Sequence, residues 1–156
     1  TEAGMSNYTW TIVGGTITAG AGTNSVTVTW NTVGAQSISV TYTGINGCDP
    51  TIPTVYPVTV MLLPVPTISG LTPACVNSTG NVYTTEAGMS NYTWTIVGGT
   101  ITGGAGTNSV TVTWDTVGPQ SISVTYTAVN GCNPTIPTVY PVTVTPLPST
   151  SPIWHN

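Results

Sequence analysis

An internal repeat of 84 residues constrains the fold of this chain more than any other feature. Residues 1–60 align with residues 85–144 with six differences in 60 positions, which leaves 54 identities. Repeats that stack into solenoids have periods of about 20–50 residues, so a period of this length predicts one complete small domain per repeat. We therefore expect a first repeat over 1–64, a second over 65–148, and a tail over 149–156.

Alternation of apolar and hydroxyl residues predicts the fold of each repeat. Four segments of the second repeat alternate strictly between apolar residues and Thr or Ser, and three alternate more weakly: 91–96, 109–114, 120–128 and 139–145, then 66–70, 81–85 and 99–103. Gly- and Asn-rich turns separate these segments, and no segment has helical periodicity. About seven short strands predict an all-β, two-sheet antiparallel sandwich. Four aromatic residues lie at the apolar positions of this alternation, which face inward, and are predicted to lie in the core: Trp94, Trp114, Tyr126 and Tyr140.

Several sequence features of the second repeat are typical of a known family: Cys75, Tyr83, Trp94, Gly99, Trp114, the strand GTNSVTVTW and the closing Gly131-Cys132. With them the chain resembles the polycystic-kidney-disease-like (PKD-like) Ig-fold repeats of large secreted Bacteroidota proteins, fully over 65–144 and in part over 1–60. The resemblance implies tandem Ig-like sandwiches that act as stalks, spacers or adhesive modules outside the cell or at its surface. The acidic loop pairs of the calcium-dependent relatives are missing, so a calcium site is not expected.

The charge inventory excludes several classes of partner. The chain has no Lys or Arg, four acidic residues and a formal net charge of −4. Without cations it cannot neutralise phosphates or anionic headgroups, which excludes binding to nucleic acid or to a membrane surface. No apolar run approaches the roughly 20 residues that cross a bilayer, so membrane insertion is not expected either.

The sequence contains no arrangement that predicts catalysis. The single histidine, His155, lies in the tail, and no acid pair or Ser/His arrangement is evident. Three scattered cysteines and one distant histidine lack the ligand spacing of a metal site. We therefore expect no enzymatic activity, no cofactor and no metal.

The three cysteines follow the repeat. Cys75 lies near the first strand of the second repeat and Cys132 follows its sixth strand, so a Cys75–Cys132 disulfide in an oxidising, extracellular setting is predicted. The alternative is a set of free thiols that pack as small apolar groups. Cys48 is the first-repeat equivalent of Cys132 and has no equivalent of Cys75 to join. It is predicted to be unpaired or paired externally.

The first repeat has no counterpart of residues 65–84, which supply the first two predicted strands of the second repeat. A sandwich without these strands exposes apolar core and unpaired backbone groups. Two sources of the missing strands stay open: a segment just upstream, if the chain is a window cut from a longer tandem array, or another subunit that donates a strand. For the second source the candidate donor is the tail 149–156, with Ile153 and Trp154 as inter-subunit contacts.

Sites for covalent glycans are a further hypothesis. Asn7, Asn77 and Asn91 begin formal N-glycosylation sequons. Thr116 lies in an Asp-Thr-Val sequence that resembles the Bacteroidota O-glycosylation signal, whereas its equivalent Thr32 follows Asn. Glycans would protect a surface with almost no charge from edge-to-edge aggregation. The alternative is an unmodified turn at each site.

Two classes of function remain. The first is a structural subunit of an extracellular fibril or surface stalk, in which copies join head to tail as a homopolymer. The second is an adhesin that binds carbohydrate or protein through the loops of the sandwich. The loop sequences are small and lack exposed aromatic or acidic clusters, which favours the structural subunit.

Overall fold

The computed structural model of the protein describes residues 1–149 and divides the chain into two compact units, Thr1–Leu62 (unit 1) and Leu63–Asn156 (unit 2). The division falls two residues before the repeat boundary expected from the sequence. Residues 1–149 form strands, turns and loops with no helix, so this part of the chain has no helix that could cross a bilayer. The all-β prediction is confirmed.

Unit 1 contains five strands: β1 (Ser6–Val13), β2 (Gly15–Ala19), β3 (Thr27–Trp30), β4 (Gly34–Thr43) and β5 (Thr54–Val60). Unit 2 contains eight between its start and residue 149: β6 (Ser69–Gly70), β7 (Ala74–Cys75), β8 (Asn81–Thr84), β9 (Ser90–Val97), β10 (Gly99–Gly103), β11 (Ser109–Trp114), β12 (Gly118–Thr127) and β13 (Thr138–Thr145). Strands β1–β5 correspond to β9–β13 through the 84-residue repeat. Residues 1–62 hold no counterparts of β6, β7 and β8.

Unit 2 is a two-sheet sandwich. One sheet has the order β10-β11-β8-β6 and the other the order β7-β13-β12-β9. Their pairings are antiparallel except that β7 runs parallel to the final strand β13. This is the arrangement of a constant-type Ig domain, with β7 added at the edge beside β13.

The core of unit 2 lies between the two sheets because one face of each strand is apolar. In β11 and β12, buried residues alternate with partly exposed Ser and Thr along the strand. Ten residues form the buried core cluster: Ala74, Tyr83, Trp94, Val110, Val112, Trp114, Ile122, Val124, Val142 and Val144. Trp94, Trp114 and Tyr126 are buried as expected, whereas Tyr140 is only half-buried.

Unit 1 repeats the second half of this architecture. Strands β1-β4-β5 form one sheet and β2-β3 form a second. The registers are the same as in unit 2: Trp10 pairs with Val40 as Trp94 pairs with Val124. The repeated sequence thus folds in the same way in both units.

Two equivalent glycines, one in each unit, lie where the chain passes from one sheet to the other. Gly14 directly follows β1 with φ of 78° and Gly98 directly follows β9 with φ of 79°, a left-handed conformation that glycine adopts without a Cβ penalty. A Cβ on either residue would also overlap the side chain of Gln36 or Gln120. The positive φ is the main reason for glycine at both positions, because the flexible Gln36 and Gln120 side chains could move away from a Cβ.

Candidate functional site: the open core face of unit 1

Unit 2 shows how the sandwich closes, and Tyr83 of β8 is at the centre of that closure. Its side chain has no exposed surface, and its ring meets the Trp114 ring edge-on at a centroid distance of 5.9 Å. The Trp114 Nε1–H donates to the Tyr83 hydroxyl at 3.0 Å, and that hydroxyl donates to the Leu71 carbonyl oxygen at 2.8 Å. Tyr83 therefore joins the first strand of unit 2 to the core.

Two residues of β13 hold the first strand of unit 2, β6, and the segment before it by hydrogen bonds from the other sheet. The Tyr140 hydroxyl donates to the Gly70 carbonyl oxygen at 3.0 Å, and the Thr138 hydroxyl donates to the Pro66 carbonyl oxygen at 2.7 Å. These bonds place the segment that opens unit 2 across the side chains of β13. The segment 65–84 thus closes the sandwich with hydrogen bonds to both sheets.

The Glu86 carboxylate accepts hydrogen bonds from this same segment, residues 65–84. The Thr67 amide and hydroxyl donate to its Oε1 at 3.0 and 2.6 Å, and the Thr85 and Tyr126 hydroxyls donate to its Oε2 at 2.7 and 3.1 Å. Burial raises the pKa of Glu86, but the hydrogen bonds from Thr67, Thr85 and the backbone outweigh burial and lower that pKa to about 2. Burial, together with the hydrogen bond to Glu86, raises the pKa of Tyr126 to about 12.

Sequence reasoning did not identify this role of the acids. A signal existed: the Thr-Glu pair occurs in both repeats, as Thr1-Glu2 and Thr85-Glu86. Glu2 accepts a hydrogen bond from the Thr1 hydroxyl at 2.6 Å, and this bond is the main reason why its pKa falls to about 2. Residues 1–62 contain no equivalent of Thr67, so no bond of that kind to Glu2 is made within them.

The corresponding face of unit 1 is open. A cavity of about 340 Å³ is lined by Thr1, Trp10, Ile38, Val40, Thr54 and Tyr56. The Tyr56 side chain is 69% exposed, and in unit 1 only Val40 is buried to the degree seen throughout the core of unit 2. The equivalents of Ile38 and Val40, which are Ile122 and Val124, have no exposed surface. We call the surface formed by Trp10, Ile38, Val40, Thr54 and Tyr56 the open core face.

The predicted Cys75–Cys132 disulfide is not formed, and the topology explains why. All three cysteines are free; Cys48 and Cys75 are exposed and Cys132 is half-buried. Cys75 pairs with Thr145 at the last residue of β13, whereas Cys132 precedes the first residue of that strand. An eight-residue strand spans roughly 23 Å, and a disulfide needs Cα atoms within about 7 Å. The two cysteines therefore lie near opposite ends of the sandwich.

The residues proposed for glycan attachment are all on the surface. Asn7, Asn77 and Asn91 are exposed and have φ values of 53°, 61° and 53°. Thr116 and Thr32 are also exposed, and each lies in the turn that follows a Trp-ending strand. Exposure leaves all five residues accessible to a modifying enzyme, and attachment stays a prediction.

The remaining sequence predictions concern the tail and metal ligands. Ile153, Trp154 and His155 lie outside the described residues. Within residues 1–149, no group of three or more His, Cys, Asp or Glu side chains is placed to hold a metal ion.

Comparison with protein families identifies the repeat. The model of the PKD-like domain family matches residues 1–58 and again residues 62–142. The chain belongs to this PKD-like family. Both matches coincide with the two structural units, so the resemblance found in the sequence is confirmed. None of the curated proteins compared with the chain matches it.

Solved structures similar to the PKD-like chain are modular proteins of low sequence identity. The fibronectin(III)-like modules of Clostridium thermocellum CbhA share 16% identity, with 100% of this chain and 86% of that chain covered and a TM-score of 0.41. Domains 4 and 5 of the S-layer protein SbsC share 18%, with 92% and 72% covered and a TM-score of 0.36. Protocadherin gammaB7 EC3–6 shares 12%, with 91% and 41% covered and a TM-score of 0.36. Scores this low carry no argument about function.

Proposed function

We propose that this PKD-like chain is a non-catalytic structural subunit of an extracellular fibril or surface stalk, in which the sandwiches join head to tail. The family resemblance supports a stalk or spacer outside the cell. The composition supports it as well, because a chain without Lys or Arg is unsuited to nucleic acid or anionic lipid. The partners of each sandwich are then further copies of the same kind.

The open core face of unit 1 is the single observation that carries this proposal. The equivalent face is covered in unit 2 by residues 65–84 and is open within residues 1–62. A further segment that covered this face would bury Tyr56, which is 69% exposed, and so give the face a use. A joint between successive sandwiches is the use that the repeat suggests.

Two kinds of joint are compatible with this face. In a tandem array, strands of the same polypeptide would close it. In a homopolymer, a neighbouring copy would donate a strand. The tail 149–156, with Ile153 and Trp154 as its apolar residues, is the donor that the sequence offers for the second kind.

Mass and assembly measurements test the proposal. The protein isolated from its natural source should give a reduced, denatured mass near 16.0 kDa for a discrete subunit, and a far larger mass for a tandem array. Recombinant 1–156 should form head-to-tail oligomers in light scattering and electron microscopy if it is the discrete subunit. The same chain without residues 149–156 should stay monomeric if the tail is the donor. A natural protein of this mass that is monomeric at high concentration would contradict the proposed function.

A further inference from the structure

We propose that the Cys75 thiol of one copy of this chain forms a disulfide with the Cys48 thiol of the next copy, which makes the joint between copies covalent. The inference rests on the proposed function in taking the copies to join head to tail. It goes further because it assigns the two residues that link them.

The thiols lie at opposite ends of the sandwich. We call the end where β5 and β13 finish the exit end of a unit, and the end where these strands begin its entry end. Cys75 pairs with Thr145, the last residue of β13, and so lies at the exit end of unit 2. Cys48 and Cys132 lie in the loops that precede β5 and β13, at the entry ends. Head-to-tail joining brings an exit end against an entry end, and so brings one thiol of each kind into the same contact.

The entry-end thiol is held by the same turn in both units. The Cys48 amide donates to Asn46 Oδ1 at 3.1 Å, and the Gly44 amide donates to the Cys48 carbonyl oxygen at 2.8 Å. The equivalent bonds at Cys132 measure 3.0 and 2.9 Å. Cys48 is the more exposed of these two thiols. It is therefore presented in a defined position and is accessible to a second copy.

Exposed apolar side chains accompany the thiols at both ends. Val117 and Leu147 are exposed at the exit end of unit 2, in the turn before β12 and just after β13. At the entry end of unit 1, Ile45 in the loop of Cys48 is 85% exposed. Its equivalent Val129 is 83% exposed in the closed unit 2, so this exposure does not result from the open core face. Contact between an exit end and an entry end would bury these side chains, which favours the contact.

The composition leaves thiols as the groups that can fix this contact. The chain has three cysteines and no Lys or Arg, so salt bridges from those cations cannot join two ends, and isopeptide bonds from lysine cannot form. An extracellular fibril is exposed to oxidising conditions in which disulfides persist.

The bond forms by thiol–disulfide exchange with a small-molecule disulfide such as oxidised glutathione as the oxidant. The Cys75 thiolate attacks this disulfide, forms a mixed disulfide and releases one small thiolate. The Cys48 thiolate of the next copy then attacks Cys75 Sγ and releases the second. One S–S bond is broken and one is formed, the two cysteines are oxidised, and the two small thiols take up the two protons that the cysteines lose.

Mixtures of single-cysteine chains test this pairing. One full-length chain keeps only Cys75 and carries Cys48→Ser and Cys132→Ser; the other keeps only Cys48 and is labelled with ¹⁵N, so that mass spectrometry separates heterodimers from homodimers. Equimolar folded chains are oxidised in a glutathione buffer. A chain that keeps only Cys132 is the matched control for Cys48, and the same mixtures in urea measure random pairing.

We expect heterodimers to exceed the sum of the two homodimers by at least about tenfold in the folded mixture, because contact between complementary ends raises the effective concentration of the paired thiols. In urea the two amounts should be equal, as random pairing requires. The unaltered chain should give a ladder of covalent oligomers that reductant removes. Cys132→Ser should keep that ladder, and Cys75→Ser should lose it.

Four outcomes would overturn the inference: no crosslinking, heterodimers at the random level in the folded mixture, a Cys48–Cys75 bond within one chain, or faster pairing of Cys75 with Cys132 than with Cys48. Failure of the proposed function is distinguishable. It would appear as a natural protein that stays monomeric, whereas natural fibrils in which Cys48 and Cys75 are both reduced would overturn the disulfide alone.

Discussion

Glu86 shows how a single side chain can report whether the sandwich is closed. Its carboxylate receives two hydrogen bonds from Thr67 across a separation of 19 residues, so its environment depends on the first strand being in place. The charged form is favoured by these bonds, and this preference is the origin of its low pKa. Protonation of Glu86 therefore weakens the attachment of the strand that closes unit 2.

This linkage predicts a loss of stability in acid. Because the pKa of Glu86 is lowered from 4.5 to about 2 by folding, its contribution is fully present above pH about 4.5 and disappears as the pH falls toward 2. Glu86→Gln should lower the free energy of unfolding of unit 2 at pH 7 and reduce its dependence on pH between 4.5 and 2. Urea unfolding at several pH values measures both effects. Glu2→Gln is the matched control, and an equal change in unit 2 from it would contradict the assignment.

The free cysteines give a second prediction at this scale. Cys48 and Cys75 are exposed and Cys132 is half-buried, so a thiol reagent should modify all three in the folded protein, with Cys132 modified more slowly. Titration with a chromogenic disulfide followed by peptide mapping measures this. Recovery of a Cys75–Cys132 crosslinked peptide from protein that was never reduced would contradict the topology described above.

At the scale of elements, the strands that sequence could predict are those with strict alternation. Strands β9, β11, β12 and β13 each have one apolar face and one hydroxyl face, and both faces are visible in the sequence. Strand β7 was not predicted, because Ala74 and Cys75 form a strand only through parallel pairing with Val144 and Thr145, 70 residues away. The disulfide prediction failed for the same reason: spacing along the chain does not reveal at which end of the sandwich a residue lies.

The open core face was accessible to sequence reasoning only in part. Comparing the repeats shows that residues 65–84 have no equivalent within residues 1–62. It does not show which polar groups those residues satisfy. The bonds from Trp114 and Tyr140 to the opening segment depend on the relative placement of two sheets, which the period-2 pattern leaves undetermined.

Strand β6 provides a test of the contact with β8. Gly70→Ala should destabilise unit 2 by about 1–3 kcal/mol, because the added methyl group overlaps the Tyr83 ring in a well-packed site. Gly103→Ala in β10 is the matched control, since nothing lies within 4 Å of the position of its Cβ. Chemical denaturation measures both variants. Equal effects of the two substitutions would mean that the β6–β8 contact does not limit the stability of unit 2.

At the scale of the whole molecule, the two units should differ in stability although their sequences are nearly the same. Unit 1 buries little of the apolar surface that its equivalents bury in unit 2, and burial of apolar surface is the main source of stability. Urea should therefore unfold unit 1 at a lower concentration than unit 2, with separate transitions in hydrogen exchange of peptides from 1–60 and 85–144. A single transition shared by both units would contradict this expectation.

The parallel pairing of β7 with β13 determines how unit 2 responds to a pulling force. One strand belongs to the segment that enters the sandwich and the other to the segment that leaves it, and they run in the same direction. Tension applied through the two ends of the unit pulls these strands in opposite directions along their length. The backbone bond from Val76 to Thr145 and the bond from Thr143 to Thr72 are then strained together rather than opened one after another. Resistance of this kind, called shear resistance in mechanical terms, would suit the fibril or stalk subunit proposed above.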